Sequence, residues 1–212
     1  YRALLPMAQA QRLLPGLAHE VGLWLGRHAH VVHYPVDAGR QLNMVVLLES
    51  PQPRVEQGWN HPTPHGEVQT ELGRALGQRQ AEALQHLLWT AEHWFAWPLY
   101  GRVPQRGWAQ GRAALLGDAA HPMLPYLAQG AAMALEDAWV LAQHWQPEHA
   151  AASLQKYTGL RQARCARVVN TAARNAQIFH ASGLTALGRD AYLRLQHGKT
   201  VGMAWLYGWQ GN

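Results

Sequence analysis

The chain has 212 residues, of which 48% are hydrophobic and 15% charged, a composition typical of globular rather than disordered proteins. Its net charge of +5 comes from scattered basic residues without a clustered stripe, which argues against nucleic-acid binding and favours small anionic partners. A single cysteine, Cys165, excludes an internal disulfide framework and indicates a reducing cytoplasm, and no apolar run reaches the about 18–20 residues of a membrane span.

The beginning of the chain is predicted to form an antiparallel sheet. Apolar and β-rich segments mark three strands, over residues 21–25, 30–36 and 42–48. Asp37 and Gly39 favour a hairpin turn between the second and the third of these strands.

The segment that follows is predicted to leave the sheet and return to it. Four prolines predict a loop over residues 51–64. Residues 67–88 are rich in Glu, Gln, Ala and Leu, which predicts a helix that is broken near Gly77. The aromatic residues of 93–100 predict a returning strand.

The second half of the chain changes character. A short apolar strand is predicted over residues 112–116, a helix over 128–144, a long amphipathic helix over 148–178 and a shorter helix over 187–195. The long helix is expected to present three residues on one apolar face: Leu154, Tyr157 and Leu160.

A candidate ligand site begins directly after the strand over residues 112–116. In open α/β sheets ligands lie beyond the carboxyl ends of strands, where Asp118 would project and accept hydrogen bonds from sugar or polyol hydroxyls. Small residues over 129–132 then begin a helix, so that a flat ligand can approach its backbone N–H groups and its positive dipole end. The alternative is a plain turn with Asp118 as a helix cap. The ordered run of Gly-Asp, His-Pro, Gln-Gly-Ala and Glu-Asp favours the ligand site.

Residues 112–141, with these four short motifs, resemble the second FAD-binding motif of the class A flavoprotein monooxygenases, the p-hydroxybenzoate hydroxylase-like family. The salicylate and 6-hydroxynicotinate hydroxylase branch is the most similar. The initial YRALLP, the hairpin WLGRHAHVVHYPV and the final WLYG segment resemble the same family, so the likeness extends over nearly the whole chain. It implies an α/β (α+β) fold: an antiparallel substrate-domain sheet over 1–105, the C-terminal part of a Rossmann-like FAD domain over 106–145, and C-terminal helices over 146–212.

The resemblance also implies a role for individual residues. Asp118 would bind the FAD ribitol, with Gly117 and Ala119 allowing its approach. Four residues would border the isoalloxazine ring: Gln129, Gly130, Ala131 and Ala132. Three would line the substrate pocket: Pro122, Pro125 and Tyr126. His30 and Tyr34 would lie at the substrate hydroxyl and take or relay its proton.

The implied activity is hydroxylation of a small phenolic or heteroaromatic acid with FAD, NADH or NADPH, and dioxygen. The implied protein is cytoplasmic and can form a homodimer. One departure from the family is large: no GxGxxG segment follows a strand, and the family's intermediate Asp-Gly motif is absent. The chain also starts at Tyr1 without an initiator methionine or a leader. We therefore expect an N-terminal half of similar length to be missing, and the alternative function is an inactive fragment with at most partial FAD or aromatic-ligand binding.

Several other functions are disfavoured by the residues themselves. A metal site at His28, His30 and His33 is disfavoured because the third histidine would face away from the other two and no Asp, Glu or Cys is expected close by to complete a ligand set. A hydrolase would need a Gly-x-Ser-x-Gly elbow, which the sequence lacks. Most of the ten tryptophans are expected to be core residues rather than a ligand-binding surface.

Two further groups of polar residues are expected to have structural roles. His121 is interpreted as a packed residue bonded to the loop backbone, in preference to a flavin contact. Four arginines of the long helix are interpreted as a solvated face or a contact with the missing domain, in preference to an anion site: Arg161, Arg164, Arg167 and Arg174.

Overall fold

The computed structural model describes residues 1–49, 61–76, 82–195 and 203–211. The chain divides into two compact units, one formed by Tyr1–Pro98 with Phe179–Leu187 and the other by Leu99–Ile178 with Gly188–Asn212. The predicted α/β class, with an antiparallel sheet followed by long helices, is confirmed.

The first unit is built on a sheet of six strands in the order β2-β3-β4-β1-β6-β5, and all neighbouring strands are antiparallel. The strands are β1 (Arg2–Pro6), β2 (Gly22–Gly26), β3 (Ala29–Val36), β4 (Gln41–Leu48), β5 (His61–Thr63) and β6 (Trp94–Ala96). The helices of this unit are α1 (Met7–Leu13), α2 (His65–Leu76) and α3 (Glu82–Thr90).

The predicted hairpin is confirmed, with strands β3 and β4 within one residue of their expected bounds. Its turn holds Asp37, Ala38 and Gly39 at φ values of 53°, 52° and 81°, in the left-handed region that Asp and Gly tolerate better than most residues. An ion pair between Arg40 and Asp37 closes the turn.

The two faces of this sheet differ in what covers them. Side chains that alternate along β1, β3 and β4, such as Leu5, Val31 and Met44, form a buried core with the three helices. The opposite face carries His30, Tyr34 and Asn43 together with apolar residues that stay exposed. These apolar residues are Leu4, Leu23 and Phe95, with 47%, 45% and 38% of their surface exposed.

Three segments of the first unit differ from prediction. His61–Thr63 is a strand inside the predicted loop, while residues 51–60 of that loop and the break near Gly77 lie outside the described residues. The returning strand is only Trp94–Ala96, because its partner β5 has three residues and Pro98 has no N–H to donate. Neither the strand β1 nor the helix α1 was predicted from periodicity.

The second unit consists of helices packed around one short hairpin. The elements are β7 (Ala109–Gln110), β8 (Ala113–Ala114), α4 (Gly130–His144), α5 (Ala150–Phe179), α6 (Gly183–Leu195, whose first residues belong to the first unit) and α7 (Ala204–Tyr207). The buried residues of α4 and α5 form its core, with Met133, Tyr157 and Val168 at the centre.

The helices agree with prediction better than the strands do. The long helix begins two residues after its predicted start and ends one residue after its predicted end, since Pro147 opens a separate short turn before it. The predicted apolar face is wrong at Leu160, which is 49% exposed, because the buried stripe continues through Arg161 instead. The predicted strand over 112–116 shortens to Ala113–Ala114, which pairs with β7 and with no other strand of the described residues. No helix of the described residues is long and apolar enough to span a membrane.

Candidate functional site

The Gly-Asp motif forms a tight turn that exposes its carboxylate. Gly117–Ala119 is one turn of 3₁₀ helix, and Gly117 has a φ of 58°. A Cβ on Gly117 would lie 3.2 Å from the Cβ of Ala134, so glycine is needed here both for the backbone angle and for the close approach to α4. Asp118 itself is exposed.

Asp118 lies at the N-terminus of α4. A Cβ placed on Gly130 would be 3.6 Å from its Oδ1, and no described residue donates a hydrogen bond to this carboxylate. Gln129 precedes the helix without a side-chain cap, and the first turn holds no acidic residue. The first N–H groups of α4 therefore have no partner within the helix, and Gly130, Ala131 and Ala132 leave space for a flat, electron-rich ligand.

The buried carboxylate of Asp137 fixes the Gly-Asp turn through hydrogen bonds. Asp137, on α4, is fully buried and accepts hydrogen bonds from the Gly117 N–H at 3.1 Å and from His121 Nε2 at 2.6 Å through the same oxygen, Oδ2. Its other oxygen, Oδ1, accepts from Arg161 Nε at 2.7 Å. The turn is thus tied to both α4 and α5.

The ionised forms of Asp137 and His121 stabilise each other. Burial disfavours the ionised carboxyl of Asp137, but the hydrogen bonds from His121, Arg161 and the Gly117 N–H outweigh burial and lower its pKa. Burial likewise disfavours the imidazolium of His121, but the hydrogen bonds to Asp137 and Cys165 outweigh it and raise the pKa of His121 to about 10. His121 and Asp137 are therefore a buried ion pair at neutral pH.

His121 is buried, and its side-chain partner is the Asp137 carboxylate rather than the expected loop backbone. Ligand atoms of His121, Asp137 and Cys165 lie within 4.8 Å of one another, a spacing that a metal ion can use. The Arg161 guanidinium lies 2.7 Å from the carboxylate and 3.6 Å from the thiol sulfur, so the positive charge beside this group is already supplied by the protein.

The interpretation of the long-helix arginines as a solvated face is wrong for two of them. Arg161 is 2% exposed and also pairs with Glu136 at 2.7 Å. Arg164 binds both oxygens of Glu136 and donates to the carbonyl oxygens of Trp205 and Leu206 in the WLYG segment. Periodicity could not show this, because the acidic partners lie on another helix.

The three residues proposed for the substrate pocket follow the same turn. Pro122 is half-buried, and Pro125 is exposed and opens the short 3₁₀ turn Pro125–Leu127. Tyr126 is half-buried, and its carbonyl oxygen accepts a hydrogen bond from Asn175 at 3.4 Å. All three belong to the second unit, whereas His30 and Tyr34 belong to the first.

His30 and Tyr34 lie on one face of β3, with Val32 between them. Tyr34 pairs in register with Asn43, and His30 with Leu47. Burial, with a smaller contribution from the charge that His180 carries only when protonated, lowers the pKa of His30 to about 4, so the His30 ring is neutral at pH 7. His28, by contrast, is not on the strand but in the preceding turn, with a φ of 63°.

Sequence reasoning missed the partners of these histidines. The expectation that no acidic residue lies near them is wrong: Glu49 accepts from His28 at 2.7 Å and from His180 at 2.8 Å, and His180 bonds to His30 at 2.8 Å. His180 is 150 residues from His30, so no local pattern could reveal the contact.

A second missed feature is a group of hydrogen-bond donors beside Tyr34. Asn43 is fully buried, its Oδ1 accepts from Arg2 Nε at 2.7 Å, and its Nδ2 makes no hydrogen bond to a described residue. A buried amide N–H without an acceptor is costly, so this position suits an anionic or polar ligand group.

The chain is similar in sequence and in structure to known flavin-dependent proteins. The family described as FAD binding domain matches residues 14–172, and the chain belongs to that family. Its similarity to the class A aromatic hydroxylases, expected from the Gly-Asp motif, is confirmed.

Individual relatives agree with this assignment. The chain is 34% identical to 3-hydroxybenzoate 6-hydroxylase of Klebsiella oxytoca over 195 residues, which are 89% of this chain and 47% of that protein. It is 38% identical to 3-amino-4-hydroxybenzoate 2-monooxygenase of Streptomyces cremeus over 195 residues, 89% of this chain and 45% of that protein. The solved structure of a salicylate hydroxylase substrate complex matches 99% of this chain and 53% of its own, with a TM-score of 0.80 and 26% identity. The chain thus spans about half the length of the relatives it matches.

Proposed function

We propose that this chain is the C-terminal part of an FAD-dependent monooxygenase that hydroxylates a small phenolic or heteroaromatic acid with NADH or NADPH and dioxygen. The observation that carries the proposal is the exposed Asp118 carboxylate beside the uncapped N-terminus of α4. We also infer a cytoplasmic location, from the single free cysteine.

The residues present fit FAD. Asp118 has acceptor oxygens for the ribitol hydroxyls, and Gly117 and Ala119 add no bulk beside it. The N–H groups and dipole of α4, at Gln129, Gly130, Ala131 and Ala132, suit the electron-rich edge of the isoalloxazine ring. When bound, FAD supplies the redox chemistry that activates dioxygen.

The part of the chain that acts on the substrate is the open face of the sheet, defined by the exposed residues Leu4, Leu23, Tyr34 and Phe95 and by the buried His30 and Asn43 beside them. His30 is neutral at pH 7 and would accept the proton of the substrate hydroxyl, which makes the ring more electron-rich. Tyr34 would position that hydroxyl. On the second unit, Pro122, Pro125 and Tyr126 are proposed to contact the substrate. The Arg2–Asn43 pair would hold the substrate carboxylate through the guanidinium and the amide N–H.

A segment equivalent to the other half of the relatives is needed to complete the flavin site, because no GxGxxG loop is present for the pyrophosphate. The relatives named above act on hydroxybenzoates or aminohydroxybenzoates, which supports a small aromatic acid as the substrate. We also propose that the protein self-associates into a homodimer.

The proposal is tested by fusing the N-terminal half of 3-hydroxybenzoate 6-hydroxylase to this chain. The fusion is expected to purify as a yellow protein that oxidises NADH or NADPH faster when a hydroxybenzoate is present. Asp118→Ala should weaken FAD binding by about 10-fold or more, the loss expected for charge-assisted hydrogen bonds of about 1.5–3 kcal/mol.

The matched control is Asp190→Ala, which removes a half-exposed carboxylate elsewhere in the second unit and should leave FAD affinity unchanged. A colourless fusion that is correctly folded by circular dichroism would contradict the proposal and favour the inactive fragment.

A further inference from the structure

Three side chains of the first unit form a continuous hydrogen-bonded series from the open sheet face to solvent. His30 Nδ1 lies 2.8 Å from His180 Nε2, and His180 Nδ1 lies 2.8 Å from Glu49 Oε1. His30 and His180 are 1% and 5% exposed, whereas the Glu49 side chain is 50% exposed. The series therefore joins a buried imidazole to water.

The carboxylate gives this series a direction. Burial raises the pKa of Glu49, but hydrogen bonds from His28 and His180 outweigh it and lower the pKa, so Glu49 is an anion that only accepts. His180 must then donate from Nδ1 and, when neutral, accept at Nε2. His30 must in turn donate from Nδ1, which places its lone pair on Nε2.

We propose that His180 and Glu49 form a proton relay for His30, fixing its Nδ1–H tautomer and conducting the proton of the substrate hydroxyl to solvent. This inference rests on the proposed function for the role of His30 as the proton acceptor. His180 and Glu49 are positioning residues, since neither is assigned a contact with the substrate.

Each proton transfer in the relay is balanced. The substrate O–H proton binds His30 Nε2, and the Nδ1 proton of His30 passes to His180 Nε2. The Nδ1 proton of His180 then passes to Glu49, which releases it to water and regains its negative charge. A ring that holds a proton poorly suits this task, and the low pKa of His30 is consistent with rapid transfer onward.

A purely structural role would use the same contacts in a different way. The ring of Phe179 meets His30 edge-on with centroids 5.3 Å apart, so these contacts could serve only to pack Phe179 and His180 against the sheet. That role predicts a loss of stability when His180 is changed. It does not predict a particular tautomer or a change in proton transfer.

The tautomer is measured on the chain itself by long-range ¹⁵N–¹H correlation spectra of its histidine rings. At pH 7 we expect His30 to carry its hydrogen on Nδ1, the form that a free imidazole disfavours. His180→Phe removes the acceptor and should shift His30 to the Nε2–H form, while the exposed control His86→Gln should change nothing. The proposal would be overturned if His30 carried its hydrogen on Nε2 in the unmodified chain. It would also be overturned if His30 kept its hydrogen on Nδ1 in His180→Phe.

The relay itself is tested in the FAD-loaded fusion with His180→Gln, whose amide oxygen can accept from His30 but cannot pass a proton on. We expect the hydroxylation rate to fall by about 10- to 100-fold, within the range for a lost acid–base step, while KM changes less than twofold. Added imidazole should restore part of the rate. A fall in kcat/KM that is accompanied by a lower melting temperature and is not reversed by imidazole would reject the relay.

The two experiments separate this inference from the proposed function. If the tautomers behave as expected and the fusion hydroxylates nothing, the hydrogen-bonded series is correct but the proposed function fails, and with it the role of the series in catalysis. If the fusion is active and His180→Gln matches the unmodified protein, the relay alone fails.

Discussion

At the scale of single residues, the ion pair of His121 and Asp137 shows how a buried carboxylate shapes an exposed one. Asp137 binds the Gly117 N–H through the oxygen that also binds His121, so the turn that presents Asp118 is fixed by charge. The sequence predicted Asp118 because the Gly-Asp motif is contiguous. It did not predict the support of that motif, because Asp137 and Arg161 lie 20 and 24 positions from their partners.

The His121 pair makes stability depend on pH in the alkaline range. Its folded pKa of about 10 lies above the ordinary value of 6.5, so its stabilising contribution is complete below about pH 6.5 and is lost as pH rises through about 10. We expect the free energy of unfolding in urea to fall between pH 6.5 and pH 10 in the unmodified chain, and to fall less in His121→Asn.

The control for this measurement is His149→Asn, at an exposed histidine of the same unit, which should reproduce the unmodified profile. Parallel profiles for His121→Asn and the unmodified chain would show that His121 is uncharged in the folded state.

At the scale of elements, α4 and α5 are joined by charges across an otherwise apolar interface. Arg161 pairs with Asp137 and Glu136, and Arg164 continues the contact from Glu136 to the WLYG segment. The extent of both helices could be predicted, because periodic apolar residues and the breaker Pro147 are local signals. The face that each helix buries could not, since a buried arginine is distinguished from a solvated one only by its partner.

Removing the Arg161 guanidinium should destabilise the second unit strongly. Arg161→Met keeps the apolar stem of the side chain but leaves Asp137 buried with one charge partner fewer, a change that costs about 3–5 kcal/mol for buried pairs. Arg174→Met is the matched control, because Arg174 is exposed on the same helix, and its effect should stay within about 0.5 kcal/mol. Equal urea midpoints for the two variants would show that the buried pair of Arg161 and Asp137 makes no net contribution to the free energy of unfolding.

Strands depend on their partners more than helices do. The aromatic residues over 93–100 predicted a longer strand than the three residues that β5 can pair. The apolar residues after β8 are exposed for the same reason. Leu115 and Leu116 have 47% and 38% of their surface exposed, and β7 is the one strand among the described residues that pairs with β8.

At the scale of the whole molecule, the chain spans about half of its relatives, and its exposed apolar residues include this strand end. We expect Leu116→Asp to change the stability of the chain by no more than about 0.5 kcal/mol, since the side chain is already partly solvated. The same substitution should prevent FAD binding by the fusion with the N-terminal half of 3-hydroxybenzoate 6-hydroxylase, if that half covers the strand. Leu184→Asp, at an 86% exposed position in the first unit, is the control and should leave the fusion yellow.

Sequence alone determined the family, the fold class and the position of the Gly-Asp turn, because these depend on contiguous motifs and on periodicity within single elements. Tertiary structure decided which residues contact one another. His180 bonds to both His30 and Glu49, Arg161 bonds to the Asp137 carboxylate that holds the Gly-Asp turn, and Arg2 bonds to Asn43. These contacts join residues between 24 and 150 positions apart. Charge and hydrogen bonding act over a few ångströms of space, so the roles of these residues become visible only when the chain is folded.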